Sequence, residues 1–179
     1  PGTQVGGFEV GPLLGTGSMG QVYLARQISM DRNVALKILP TELVRKDQEA
    51  VQQFLGEVRM LAKLDHPNMV TAFEAGEYEG TYYLAMTYVN GESLEQRLQR
   101  EPALPEGVAF RLLLKVAQAL EYAWNHYRML HRDIKPSNIM IDSMGDVKLM
   151  DMGIAQAAPE DDEGGPHLVM GTPYYMSPE

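Results

Sequence analysis

The octet HRDIKPSN, residues His131 to Asn138, carries more chemistry than any other stretch of this chain. A single aspartate in a loop commonly does no more than form a turn. Here Asp133, Lys135 and Asn138 fall within one short loop, and each has a use where a phosphoryl group moves. A carboxylate can orient a hydroxyl and take its proton, an ammonium can offset charge on the moving group, and an amide oxygen can hold a metal. The strand-like VKLM that follows leads into Asp151, which adds one carboxylate. Mg2+ favours octahedral oxygen ligation with few protein ligands and the rest from water and phosphate, so Asn138 and Asp151 suffice as its protein ligands.

Chemistry on phosphate needs a cradle for phosphate. G15-T-G-S-M-G20-Q-V22 has the spacing GxGxxGxV. Alone the string is weak, because dinucleotide-binding folds use a similar one and a plain glycine-rich hairpin turn is an equal alternative. The dinucleotide fold requires a helix next, whereas QVYLAR alternates like a strand, and Asp31 is too near to be the ribose acid expected about 20 residues on. A strand-turn-strand clamp fits the flanks better, with glycines letting backbone amides approach phosphates closely. Lys37 stands in VALK, next to Ala35 and Ile38. A strand-end lysine is usually just solvated, but Glu57 on the following helix could pair with it and hold its ammonium toward α- and β-phosphates.

The periodicities place these motifs. FEVGPLLG, QVYLARQ and NVALKIL read as an antiparallel meander, and Pro12, which lacks a ladder donor, puts the first strand at a sheet edge. QEAVQQFLGEVRMLAKL reads as a helix with Val51, Phe54, Leu55, Val58, Leu61, Ala62 and Leu64 on one face, weakened at Gly56. HPN breaks the chain, and two strands follow around a turn near Gly80. From Ser93 the period becomes helical. SLEQ resembles a capping box opening a short helix to about Arg100, and Pro105 starts a long helix with Val108, Leu112, Val116, Ala119, Leu120 and Ala123 inward. The expected architecture is α+β: a β-rich first lobe, a hinge near Thr87 to Glu92, and a helical second lobe.

Composition narrows the function classes. The 179 residues are 45% hydrophobic and 22% charged, a globular balance. A net charge of -9 and a pI near 4.9 argue against nucleic acid or an anionic membrane as partner, so any phosphate site is local. With no cysteine, disulfides and thiolate metal sites are excluded. No apolar run approaches the roughly 20 residues of a membrane span, so the segment itself makes no direct membrane contact. The chain starts at Pro1 and reads as a piece of something longer.

GTGSMGQV, VALK, HRDIKPSNIM, DMG and GTPYYMSPE stand in the order of the protein kinase family, and the chain resembles the bacterial eukaryotic-like Ser/Thr kinases over almost its whole length. The resemblance implies a protein-kinase-like two-lobe α+β fold, with an N-lobe over 1–86, a hinge over 87–92 and a partial C-lobe over 93–179. It implies ATP and Mg2+ as cofactors and transfer of the γ-phosphoryl to Ser or Thr hydroxyls of proteins. Gly15, Gly17 and Gly20 resemble the loop over the phosphates, Val22 and Ala35 the adenine roof, and Met140 its floor. Lys37 and Glu57 match the active-state ion pair, Asp133 the catalytic base, Lys135 its Ser/Thr-type partner, and Asn138 and Asp151 the metal ligands. Met86 falls at the gatekeeper position, and Thr87 to Val89 at the hinge that reads adenine through backbone. Thr172 matches the threonine supporting the catalytic aspartate. The implied place is cytoplasmic, with a membrane anchor and a homodimer both compatible with such a kinase.

Three departures qualify the resemblance. Met152 replaces the usual phenylalanine after Asp151, and Thr87 stands where an acidic residue is common. Residues 151–171 resemble an activation segment yet contain no Ser, Thr or Tyr. One reading is that Glu160, Asp161, Asp162 and Glu163 pair with Arg132 in place of a phosphate; the equal alternative is a solvated acidic loop. Relatives continue after the SPE motif with helices that cover the catalytic loop and supply an arginine to the residue matching Glu179, so apolar surface is expected to be open here. The alternative function is a pseudokinase, a nucleotide-binding scaffold without turnover.

Overall fold

The computed structural model describes residues 3–17, 20–151, 156–157 and 175. Residue contacts divide it into two compact units, residues 1–63 with 71–88 and residues 64–70 with 89–179.

The first unit is a six-stranded antiparallel sheet with two helices. Its strands are β1 (Gln4–Val5), β2 (Phe8–Gly17), β3 (Gly20–Gln27), β4 (Arg32–Leu39), β5 (Ala72–Tyr78) and β6 (Thr81–Thr87), in the order β1-β2-β3-β4-β6-β5. The meander expected from the first three apolar runs is β2, β3 and β4. The edge assignment of Pro12 is correct locally and incomplete overall. β1 covers β2 only at Phe8 and Glu9, so Pro12 has no partner to disappoint on that side. On the other side the β2–β3 register shifts between Val10 and Leu13 and again before Gly15, which absorbs the missing donor. Between β5 and β6, Glu79 and Gly80 both have positive φ, at 50° and 76°, the pattern of a two-residue hairpin turn matched to strand twist.

β4 is buried on both faces along most of its length, and this makes it the centre of the unit. Val34 and Leu36 join Phe8, Ala25, Tyr83 and Ala85 in one cluster, with Phe8 and Tyr83 edge to face at 5.6 Å between ring centres. The alternate residues Ala35, Lys37 and Leu39 point to the opposite face and are buried too. α1 (Thr41–Lys46) has no counterpart in the sequence reading; six residues give too little periodicity to register. α2 (Gln48–Leu61) starts at Asp47, whose carboxylate accepts from Ala50 N at 3.0 Å. Its buried residues are Ala50, Phe54, Glu57 and Leu61. The expected face was therefore rotated and too long: Val51, Leu55 and Val58 are half-buried, Ala62 is the exposed C-cap, and Leu64 is buried in the second unit. The helix turns inward the side that carries Glu57, which the apolar count alone would leave outside.

The second unit holds β7 (Gly91–Ser93), α3 (Leu94–Arg100), α4 (Glu106–Tyr127), β8 (Met129–Leu130), a single 3-10 turn (Pro136–Asn138), β9 (Ile139–Asp142), β10 (Val147–Leu149) and β11 (Gln156–Ala157). The capping box is present: Gln96 N donates to Ser93 Oγ at 3.1 Å, and Ser93 N donates to the Gln96 side chain at 2.8 Å. α4 buries Leu112, Val116, Ala119 and Ala123, while Val108 and Leu120 are half-buried, close to the expected stripe. α4 packs on β8 and β10, and its other side leaves Phe110, Leu113 and Leu114 exposed at 69%, 58% and 47%. β10-β9-β7 form an antiparallel sheet in which Gly91 lies against β9 so closely that a Cβ there would stand 1.9 Å from Ile141 O. The β9–β10 hairpin is closed by Asp142, whose carboxylate accepts from the amides of Met144 and Asp146.

Candidate active site

The first unit presents its share of the expected site on one face of the sheet. The registers pair Gly15 with Val22, Val22 with Lys37, and Ala35 with Met86. Residues opposite one another across strands share a face, so Gly15, Val22 and Lys37 form one row and Ala35 and Met86 the next. The strand on both sides of the glycine motif removes the dinucleotide-fold alternative, since β3 stands where that fold needs a helix. Gly17 and Gly20 close the β2–β3 ladder opposite each other. Gly20 has φ +128°, and a Cβ on it would lie 2.3 Å from Ile38 O, so glycine is required there by the sheet itself. At Gly15 nothing lies within 4 Å of such a Cβ, so no protein atom requires its small size.

Lys37 and Glu57 meet as the sequence reading anticipated. Lys37 Nζ donates to Glu57 Oε2 at 2.5 Å, with the side chains 7% and 2% exposed. A pair so withdrawn from water gives each ion its charge partner where solvent cannot. Thr87 is paired with Val34 and so belongs to the other face of the sheet. Its hydroxyl donates to Thr71 O at 3.4 Å and accepts from Thr71 N at 3.3 Å, which engages the side chain within the unit.

The second unit builds the HRDIKPSN loop around one buried carboxylate. Asp133 is 9% exposed. Lys135 Nζ reaches Asp133 Oδ2 at 2.8 Å, and Asn138 Nδ2 donates to Asp133 O at 2.9 Å and to Oδ2 at 3.1 Å. The 3-10 turn, opened by Pro136, brings Asn138 back over Asp133. His131 received no role in the sequence reading, and the structure gives it one. Its Nε2–H donates to Met150 O at 2.8 Å, and its Nδ1 accepts from Asp133 N at 3.3 Å. Burial pushes this imidazole below its ordinary pKa, against the opposing pull of Met150 O and the nearby Asp133 and Asp151, which keeps it neutral. Met150 N in turn donates to Asn138 O at 2.9 Å. The residue before Asp151 is thus pinned from both sides by the loop that carries Asp133. Asp151 itself is exposed and has φ 58°.

The donor set suits a hard cation. Asn138 spends its amide nitrogen on Asp133, so Oδ1 is the atom that could ligate a metal, and Asp151 offers a carboxylate to solvent. Among the described residues no group of three or more His, Cys, Asp or Glu is gathered for a metal. Two oxygen ligands completed by water and phosphate need no such group. Met140 lies half-buried on β9, opposite Ser93 and Lys148, and Val89 is buried. Met152, Thr172, Glu179 and the acidic run Glu160, Asp161, Asp162 and Glu163 lie outside the described residues, and the expected pairing with Arg132 with them.

Comparison with known proteins agrees with this geometry. A family model described as protein kinase domain matches residues 8–179. The chain is 36% identical to serine/threonine-protein kinase PrkC of Bacillus subtilis over 174 residues, which is 97% of this chain and 26% of that protein. It is 40% identical over 182 residues to serine/threonine-protein kinase pkn3 of Myxococcus xanthus, covering 96% of this chain and 33% of the relative. Serine/threonine-protein kinase PknB of Mycobacterium leprae is 37% identical over 177 residues, with 96% and 28% covered. The chain therefore spans about a quarter to a third of the length of these curated relatives.

Proposed function

Because the chain belongs to the protein kinase domain family, we propose that it is the catalytic segment of a Ser/Thr protein kinase, moving the γ-phosphoryl of ATP to a protein hydroxyl. The observation that carries this reading is the construction around Asp133: a buried carboxylate with an ammonium at 2.8 Å and its metal-ligand neighbour Asn138 hydrogen-bonded to it. Asp133 orients the substrate Ser or Thr hydroxyl and takes its proton as the oxygen attacks phosphorus and the bond to the ADP oxygen breaks. Lys135 offsets charge on the moving group. Lys37, held by Glu57, addresses the α- and β-phosphates. The glycines of β2 and β3 cover the phosphates, with Gly15 left open on its Cβ side. Asn138 and Asp151 would hold Mg2+, which would supply charge neutralisation at the phosphates.

In the first unit Val22 and Ala35 take the adenine-roof role and Met86 that of gatekeeper, and in the second Met140 takes the floor role, as the family pattern assigns them. Thr87 to Val89 read the adenine edge through backbone, a division of labour supported by the engagement of the Thr87 side chain with Thr71. The split of the contact units between Tyr88 and Val89 supports placing the hinge there. No helix among the described residues is long and apolar enough to cross a membrane. Since ATP is cytoplasmic, we place this segment on that side. Against the pseudokinase reading stand Lys37, Glu57, Asp133, Asn138 and Asp151, all present in the sequence.

The test is phosphate transfer from Mg-ATP to a protein substrate, by this chain and by a version extended toward the length of its relatives, with Asp133→Asn as control. Transfer lost in the control with Mg-ATP binding retained is the expected result. Mg-ATP binding with no transfer in either wild-type form overturns the reading in favour of a scaffold.

A further inference from the structure

The segment His66 to Val70 belongs to the second unit although it lies between two elements of the first. It runs beside β10 as an extra partner. Asn68 Nδ2 donates to Val147 O at 3.0 Å, Leu149 N donates to Asn68 O at 2.8 Å, and Val70 N donates to Leu149 O at 3.0 Å. Met69 and Leu149 complete a parallel bridge. β10 ends at Leu149, two residues before Asp151, so what fixes this strand fixes the approach to Asp151.

Asn68 is itself held by a titratable group. Its N–H donates to His66 Nδ1 at 3.1 Å. A backbone N–H can only donate, so Nδ1 carries the lone pair and His66 is neutral. A second proton on the ring would set two donors against each other and break the turn. The groups facing His66 are the Tyr122 ring at 5.2 Å on α4, with His126 behind it at 4.5 Å, Asp65 in its own turn, and Lys148 on β10. Burial first, and Lys148 second, push the imidazole below its ordinary value, so the neutral form is the one present near neutral pH. Asp65 N donates to the Tyr122 hydroxyl at 3.4 Å, which ties the turn to α4 from its other side.

We propose that the turn His66 to Asn68 positions Asp151 through β10, and that protonating His66 at Nδ1 releases that hold and weakens Mg2+-dependent nucleotide binding in acid. The proposal rests on the reading of Asp151 as a metal ligand. His66 and Asn68 act as positioning residues, through the strand.

Two variants and two readouts test it. Asn68→Ala keeps the backbone partners of residue 68 and removes only the donor to Val147 O. His66→Asn offers an oxygen where Nδ1 stood and has no proton to gain. The first readout is amide hydrogen exchange over residues 147–150 without nucleotide. The second is the Mg2+ concentration giving half-maximal binding of a fluorescent ATP analogue, between pH 7.5 and 5.5. Asn68→Ala should speed exchange and raise the half-saturating Mg2+ about threefold to tenfold, the worth of one hydrogen bond. Wild type should lose protection and Mg2+ response on acidification, and His66→Asn should keep more of both; comparing the two cancels the titration of the nucleotide and of His131. The idea is overturned if His66→Asn follows wild type through the acid range, or if Asn68→Ala changes exchange without changing the Mg2+ requirement. Wild-type binding indifferent to Mg2+ would instead sink the metal-ligand reading, and this proposal with it, while the exchange data would still show whether the turn holds β10.

Discussion

Replacing both members of the Lys37–Glu57 pair should harm stability less than replacing one. With 2.5 Å between Nζ and Oε2, the gross attraction is about 7 kcal/mol at an effective dielectric near 20. The side chains are 7% and 2% exposed, so each ion has given up its hydration, a loss of several kcal/mol per ion that consumes most of that attraction. The pair as a whole then contributes little, but removing one ion takes from the other the opposite charge that offset its desolvation. Glu57→Gln or Lys37→Met should each destabilise by about 3–5 kcal/mol, whereas Lys37→Met with Glu57→Leu should come out nearer to wild type than either single change. Urea denaturation followed by far-UV circular dichroism measures this. The single tryptophan, Trp124, lies in the second unit and shows how far any loss spreads beyond the first. Phosphate transfer should be lost in both variants that carry Lys37→Met, including the stable apolar pair, because neither has the Lys37 ammonium for phosphate. Single variants within about 1 kcal/mol of wild type, or a double variant as unstable as the sum of the singles, would refute the reasoning.

Other perturbations separate fold from function. Gly15→Ala should leave stability within about 0.5 kcal/mol and raise the ATP requirement, whereas Gly20→Ala, with its Cβ 2.3 Å from Ile38 O at φ +128°, should lose about 2 kcal/mol or more in denaturation. His131 has its folded pKa below the unfolded value of about 6.5; its contribution is complete above that pH and declines as pH falls through the folded pKa, because the unfolded chain binds the proton first. Urea midpoints measured from pH 8 to pH 5 should therefore fall in acid, and the fall remaining in His66→Asn reports His131. Ser93→Ala should remove one arm of the capping box and lower the thermal midpoint by an amount equivalent to about 1 kcal/mol.

What the sequence disclosed follows the range of the interactions involved. The hairpins, the capping box at Ser93 and the stripe of α4 are written in neighbouring residues, and all were legible. Lys37 and Glu57 could be paired because opposite charges declare themselves even at a separation of 20 residues. The inward rotation of α2 was not legible, since it turns a glutamate toward the core and apolar counting works against that. The work of His131 and Asn68 was hidden for another reason. His131 donates to a main-chain carbonyl 19 residues away and Asn68 to one 79 residues away. A carbonyl belongs to every residue and leaves no mark on the sequence. Pro12 was half legible: its missing donor was foreseen, while the shortness of β1 and the register shift between β2 and β3 that absorbs it arise from strand pairing.

The membership of residues 64–70 in the second unit bears on how the protein is made. As the chain leaves the ribosome, β5 and β6 can join β4 within some twenty residues of their emergence. Asn68 must wait for Val147, 79 residues later. At about 5–20 residues per second this is a delay of roughly 4–16 s. For that interval Met69 and Val70, buried in the finished protein, hang between two completed pieces of sheet with their partners unmade. A chaperone that reads short apolar segments would find its target there, and slowing translation between residues 90 and 147 would lengthen its opportunity.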